Sequence, residues 1–314
     1  MLRLNVKNIF KYKLHKNNYI IFNLLKFYTG EKNMVYNIFD GYLKFIIEAI
    51  REKRESSKLK KDMFENDGEF YKKIKQYNDK CKEVFIRNRN YLSMLKKYYK
   101  SVGRMVIECR AKTFSRLLCD TSSPFLWIPD EIGLAWDPIL DTPIIPASEI
   151  KGVLSAVMQF HNETLLRDLL FGGSIPCEQS KTIKSVIDIT DAYPVSGTSL
   201  LERDVMTPIY AKNIEEHLAL PTPIKFYVIS PGVEFEFLIL IDIYRFKKLL
   251  EEDCFRKKLI ECVINIPDNH SKLVDILINR LKNYLEKAFE EWGIGAKTSS
   301  GYGRLQLVHL GEVK

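Results

Sequence analysis

Apolar positions in the first third of the chain recur at helical spacing. Ile38, Tyr42, Phe45/Ile46 and Ala49/Ile50 make one stripe with charges opposite, running into Arg51-Glu-Lys-Arg-Glu55. Glu65-Asn-Asp-Gly68 reads as a break. Beyond it Phe70, Ile74, Tyr77, Cys81, Val84/Phe85 and Tyr91/Leu92/Leu95 continue the pattern, with Lys and Arg between. No proline precedes Pro124, so residues 34–100 are expected to be long helices.

The texture changes near residue 102. Residues 102–109 and 110–118 read as strand or strand-turn, and prolines then become frequent. The clearest strands are residues 186–192 and 233–242. In the second, Val233, Phe235, Phe237, Ile239 and Ile241 alternate onto one face. Residues 148–160 predict a helix with Pro146 just outside it. Leu273, Leu277, Leu281, Tyr284/Leu285, Ala288/Phe289 and Trp292 predict another, and a short strand follows Arg304. From residue 102 onward the order is strand, helix, strands, helix, strand. That order suits an α+β sandwich of ferredoxin-like type, an antiparallel sheet backed by helices. The expected division is a mainly helical region, 1–101, and an α+β core, 102–314.

Charge sharpens this division. The net charge is +8, yet residues 1–100 carry 24 Lys and Arg against 11 Asp and Glu, and the remainder carries 24 against 29. The basic excess lies wholly in the first third, which suits a polyanionic partner or a solvated lysine-rich helical surface. Tyr98 and Tyr99 beside Lys96, Lys97 and Lys100 suit base stacking, or a helix core with snorkelling lysines. The longest early apolar run, residues 19–25, is too short to span a bilayer and has no signal-peptide cleavage site after it. Six cysteines contain no C-x-x-C pair and the five histidines are scattered, so no zinc site, metal or cofactor is expected. Free thiols in a reducing cytoplasm are the simplest account.

Two motifs carry candidate chemistry. The first is Gly293-Ile-Gly-Ala-Lys-Thr-Ser-Ser-Gly-Tyr-Gly-Arg304. Its glycines leave the backbone uncovered, and Lys297, Thr298, Ser299, Ser300 and Arg304 suit phosphate oxygens. It is neither a Walker loop nor a dinucleotide finger. Ala296 precedes Lys297, Thr298 stands where the sixth glycine position falls, and the preceding element is helical. A helix C-cap at Gly293 followed by a tight connection is the alternative. The second motif is Pro143-Ile-Ile-Pro-Ala-Ser-Glu-Ile-Lys-Gly152. Here Ser148 is expected to N-cap a helix, with Lys151 and Gly152 in its first turn. Unpaired N–H groups there suit an anion, and a lysine in a first turn opposes the helix dipole unless an anion offsets it. Ordinary capping explains the same residues.

Together the motifs resemble a family. Ile-Pro-Ala-Ser-Glu-Ile-Lys-Gly is similar to the I-P-G-S-S-x-K-G signature of RAMP proteins, RNA-binding subunits of CRISPR effectors, with Ala147 where the family prefers glycine. The glycine-rich loop is similar to theirs. Residues 186–194, 204–210 and 221–226 fall between in an order that most resembles the sixth-subunit family of type III-B Cmr effectors. The resemblance covers roughly residues 103–310 and implies a ferredoxin-like, RRM-like core. It also implies a place near the 3′ end of a guide RNA, with target RNA and neighbouring RAMP subunits as partners and no membrane. Ser148, Lys151 and Gly152 would touch the guide backbone. Gly295, Lys297, Thr298 and Ser299, with Arg304 closing the loop, would line the same path. A thumb-like extension between Asp204 and Pro223 would present Met206, Ile209 and Tyr210 as an apolar wedge, unless these pack in the core.

The resemblance implies a binding subunit with no catalytic residue. Asp137, in Gly133-Leu-Ala-Trp-Asp-Pro138, matches in distance an aspartate that supports metal-dependent cleavage in related subunits, although an aspartate before proline is commonly a turn residue. A stand-alone RAMP endoribonuclease that processes CRISPR precursor RNA would use a histidine base. His161 and His217 are the candidates, and neither sits in a recognisable Lys/Tyr/His constellation of the sequence. A purely structural assembly subunit is a further alternative.

Overall fold

In a computed structural model, which describes residues 37–123, 125, 132–175, 181–207, 223–252, 256–257 and 270–313, four helices come first. They are α1 (Ile38–Arg51), α2 (Ser56–Phe64), α3 (Glu69–Asp79) and α4 (Cys81–Ser101). The expected break at residues 65–68 is present. Additional breaks at residues 52–55 and at Lys80 divide what the apolar stripes read as continuous. The stripes are buried as their spacing requires: Ile38, Tyr42, Phe45 and Ala49 on α1, and Phe70, Ile74 and Tyr77 on α3.

The α+β part begins with β1 (Met105–Thr113). It continues through β2 (Trp136–Asp137), β3 (Thr142–Pro143), α5 (Ala147–Phe160), α6 (Thr164–Phe171), β4 (Gly173–Ile175) and β5 (Lys181–Ile183). Strands β6 (Ile187–Ile189), β7 (Tyr193–Ser196), β8 (Leu201–Met206), β9 (Ile224–Ile229) and β10 (Glu234–Ile241) follow. Helices α7 (Ile243–Leu250) and α8 (His270–Glu286) lead into a π-helical turn (Lys287–Trp292), and β11 (Leu305–Glu312) comes last. The main sheet is antiparallel in the order β11-β1-β10-β6, with β7 also paired to β10. Strands β8 and β9 form a separate antiparallel pair, with Met206 opposite Ile224. The wedge candidates Ile209 and Tyr210, and also His217 and residues 19–25, lie outside the described residues.

Both faces of the sheet are covered. On one face Ile107, Cys109, Phe237 and Ile239 join a core with Leu154 and Val157 of α5 and Leu281, Leu285 and Phe289 at the end of the chain. The alternation of β10 therefore points inward as its sequence requires. The intervening positions are buried too, because α4 lies over the second face. Leu95 and Tyr99 pack there on Val106, Leu238 and Leu240, and Leu92 packs on Tyr193 and Val195. The ammonium of Lys96 sits 2.5 Å from Glu108 and 2.7 Å from Glu236 beneath that helix. Asn88 of α4 donates to the Pro194 carbonyl at 2.8 Å and to Thr142 at 3.1 Å. Part of the basic first third is thus spent on internal contacts.

Candidate nucleic-acid interface

Helix α5 and the glycine-rich loop meet on one side of the sheet. The helix starts at Ala147 with Pro146 as its boundary residue, so Ser148 does not cap it; Ser148 lies exposed inside the first turn. Proline supplies the extended φ and ψ required just before a helix, which displaces the boundary toward it. The first helical amide is already engaged, since Ala147 N–H donates to Asp191 Oδ1 at 2.7 Å. An internal carboxylate thus occupies part of the anion position that the sequence suggests for an outside phosphate.

Lys151 and Gly152 are exposed on α5. The Lys151 ammonium reaches the Phe171 carbonyl at 3.4 Å and lies 5.5 Å from the Phe171 ring centroid. A Cβ built on Gly152 would meet nothing within 4 Å. No contact among the described residues therefore demands glycine at this helical position, where it costs up to about 1 kcal/mol relative to alanine.

The loop is built differently. Gly293 has φ +79° and its amide donates to Ala288 O at 2.9 Å, closing the π-helical turn as the expected C-cap. Its course is then set by backbone bonds to the segment after β1: Ala296 N–H to Leu118 O and Gly303 N–H to Arg116 O, both 2.8 Å. At Gly303 a Cβ would stand 1.9 Å from the Ile294 carbonyl oxygen, and at Gly295 it would stand 2.3 Å from that of Leu118. Those two glycines are required by the fold itself.

The loop side chains divide. Ser299 is exposed and Thr298 half-buried. Lys297 takes a left-handed φ of +62°, and its ammonium lies 4.7 Å from the Phe226 ring centroid and 4.8 Å from that of Tyr302. Burial pushes its pKa down, against the pull of Asp204. Asp204 also accepts the Tyr302 hydroxyl and pairs with Arg116 at 3.2 Å. Lys297 therefore leans on the β8–β9 pair rather than standing free. Arg304 donates through Nη1 to the Glu290 carbonyl at 3.2 Å. Met206 is half-buried at the end of β8, packed against the main core.

Between α5 and the loop runs a cleft of about 490 Å³, lined by Glu149, Val153, Trp292, Ala296, Thr298 and the Asp120–Ser122 turn among others. None of its lining residues is a lysine or arginine. Glu149 Oε1 accepts the Asp120 amide at 2.8 Å, while Oε2 is buried near the Cys119 thiol with no hydrogen-bond partner among the described residues. Burial pushes the Glu149 carboxyl above its ordinary value. The structure thus brings the two sequence motifs to one cleft, lined by the carboxyls of Asp120 and Glu149 and by no lysine or arginine. Glu149, Asp120 and Trp292 were not singled out by motif spacing, because their juxtaposition spans the whole core.

The remaining candidates separate. Asp137 Oδ1 accepts the Ile139 and Leu140 amides at 2.8 and 3.0 Å, and Oδ2 accepts the Tyr193 hydroxyl at 3.0 Å. Its hydrogen bonds are those of a turn residue. Among the described residues no His, Cys, Asp and Glu cluster could hold a metal ion. His161 has company that its sequence neighbourhood does not reveal. Its Nε2 lies 3.3 Å from the Lys287 ammonium and its ring 6.1 Å from that of Tyr284. An ammonium can only donate, so the imidazole nitrogen accepts in that contact.

Comparison with known proteins adds an independent line. The RAMP superfamily profile matches residues 118–306. The CRISPR system CMR subunit Cmr6 of Saccharolobus solfataricus is 30% identical over 188 residues, which is 60% of this chain and 58% of that protein. The chain therefore spans less than two thirds of that relative's length. A chain in the cryo-EM structure of the type III-B Cmr-beta complex bound to cognate target RNA is similar at 27% identity and a TM-score of 0.50. That likeness covers 72% of this chain and 66% of the other. Among the described residues no helix is long and apolar enough to cross a membrane.

Proposed function

The chain belongs to the RAMP superfamily, and on that premise we propose that it is a non-catalytic, RNA-binding subunit of a type III-B CRISPR (Cmr) effector in the cytoplasm. It holds guide RNA near the 3′ end and helps to position target RNA, beside neighbouring RAMP subunits. The β1-α5-β6-β10-α8-β11 succession, with sheet order β11-β1-β10-β6, supports a ferredoxin-like core. The observation that carries the RNA path is Gly152. It is exposed in the middle of the second turn of α5, beside Lys151, with open space where a side chain would stand. A glycine with no internal reason among the described residues suits close approach of an external backbone. In this reading Ser148, Lys151 and Gly152 contact phosphates on the rim, Gly295, Thr298 and Ser299 continue the path, and Lys297 and Arg304 hold the loop. Filter binding of the full chain to single-stranded RNA across a salt series tests it. Lys151→Ala should weaken binding for all sequences and reduce the salt slope by about one. An unchanged affinity and slope would sink the RNA path.

The contact between His161, Lys287 and Tyr284 favours a second reading, an endoribonuclease with His161 as general base. Incubation of the purified protein with CRISPR repeat RNA separates the two. Cleavage lost on His161→Ala would establish the enzyme, and intact RNA would exclude it.

A further inference from the structure

The cleft between α5 and the glycine-rich loop has the wrong charge for phosphate and the right surfaces for a flat, amino-bearing ring. Carboxylates only accept hydrogen bonds, so they repel phosphate oxygens and welcome amino groups. Asp120 stands exposed at the mouth. Its Oδ1 accepts the Ser122 hydroxyl at 2.7 Å, and among the described residues Oδ2 has no partner. Glu149 fixes the Asp120 turn through the backbone amide. On the other wall, Trp292 is braced edge-to-face by Phe160, with centroids 5.3 Å apart at 71°. The indole N–H has no protein acceptor among the described residues. Val153, Ala296 and the Gly293–Gly295 backbone complete an uncluttered floor, and the volume of about 490 Å³ lies within the range of small-ligand sites.

We propose that this cleft seats one unstacked nucleobase carrying an exocyclic amino group, stacked on Trp292 with the amino group toward Asp120. The proposal rests on the RNA reading above and assigns the phosphates to the rim and a base to the interior. Adenine, cytosine and guanine offer amino donors. Uracil has no amino group, and its single N3–H lies between two carbonyl oxygens that the carboxylate repels, so it is disfavoured. Trp292 supplies the stacking surface, which tolerates any base, and Asp120 supplies the discrimination. Glu149 is a positioning residue.

The test uses the full chain and fluorescein-labelled RNA 10-mers of adenine, cytosine or uracil, with an abasic ribose-phosphate strand of equal length. Anisotropy at one salt concentration should rank the adenine and cytosine strands above uracil and all three above the abasic strand. Trp292→Ala should weaken the base-bearing strands roughly 5- to 100-fold while leaving abasic binding unchanged. Trp292→Phe should restore most of the loss. Asp120→Asn should remove the preference over uracil when each affinity is read relative to the abasic strand, since loss of the negative charge strengthens all strands alike. The seat is overturned if the wild type holds the abasic strand as tightly as the adenine strand, or if Trp292→Ala weakens both equally. Absence of binding to every strand overturns the RNA reading itself, and the seat with it.

Discussion

Asp141 caps helix α1 from the far side of the fold: its Oδ2 accepts the Ile38 amide at 2.8 Å. Its Oδ1 takes the Phe39 amide at 3.1 Å and the Trp136 indole N–H at 3.3 Å. The Asp141 carbonyl accepts the Tyr77 hydroxyl at 2.8 Å. One buried residue in the β2–β3 turn thereby ties two N-terminal helices to the α+β part. Helices α1 and α3 are bound to the rest by specific polar contacts as well as by shared core.

Replacing Asp141 by alanine strands two helix amides and an indole N–H. The expected loss is about 2–3 kcal/mol of folding stability. Asp141→Asn keeps one acceptor oxygen and should lose less. Burial pushes the Asp141 carboxyl up, with the Ile38 and Phe39 amides opposing. A raised carboxyl favours the folded state most at low pH, and that contribution falls as pH rises through the folded value. The gap between wild type and Asp141→Asn should therefore narrow with rising pH across that window. Urea unfolding at several pH values measures both effects, and equal midpoints for wild type and Asp141→Ala would refute the capping role.

Two loop glycines should respond differently to alanine. At Gly303, φ is +72° and a Cβ would meet the Ile294 carbonyl oxygen at 1.9 Å; at Gly301, φ is +86° and nothing lies within 4 Å. Gly301→Ala carries backbone strain alone, about 1–2 kcal/mol. Gly303→Ala adds a clash with backbone and should cost about 3 kcal/mol or more. Thermal unfolding of the two variants gives the order directly; a Gly301 penalty as large as that of Gly303 contradicts it.

Gly152 should show the opposite balance. Alanine there fits the helix without contact and should raise stability by about 0.5–1 kcal/mol. If the RNA backbone approaches at this point, the same change weakens RNA binding. A more stable protein with lower RNA affinity is the expected pair of results in calorimetry and filter binding. A more stable protein with unchanged affinity would remove Gly152 from the path.

The parts of this fold that local spacing could reveal were legible. The stripe Leu277, Leu281, Leu285 and Phe289 is buried as its period requires, and the helix beginning near Ser148 is present one residue earlier. What spacing could not reveal lies in pairings distant along the chain. Asp191 meets Ala147 across 44 residues, and Asp141 meets Ile38 across 103. A carboxylate in a turn carries no local sign of which helix it caps. Lys297 illustrates the same limit. Its sequence context suggests an exposed phosphate contact, whereas its αL backbone turns the ammonium onto Phe226 and Tyr302.

Lys96 gives the sharpest test of how α4 is attached. It bridges Glu108 and Glu236, and the three side chains are 19%, 18% and 9% exposed. Burial raises the Glu108 carboxyl, but the hydrogen-bonded Lys96 ammonium and Arg110 outweigh it and hold the net value below the ordinary range. A lowered carboxyl contributes stability that is present above its unfolded value and lost as pH falls through the folded one. Lys96→Met keeps much of the helical packing but leaves two shielded carboxylates facing a methionine. Glu108 then keeps only Arg110 as a close cation, so the stability its lowered carboxyl contributes above the unfolded value shrinks and the variant should lose less than wild type on acidification. At neutral pH the expected cost is about 3–5 kcal/mol, shrinking toward the acid side as Glu108 takes up its proton. Parallel stability profiles for wild type and variant between about pH 4 and pH 8 would show that the ion triad does not hold α4 to the sheet.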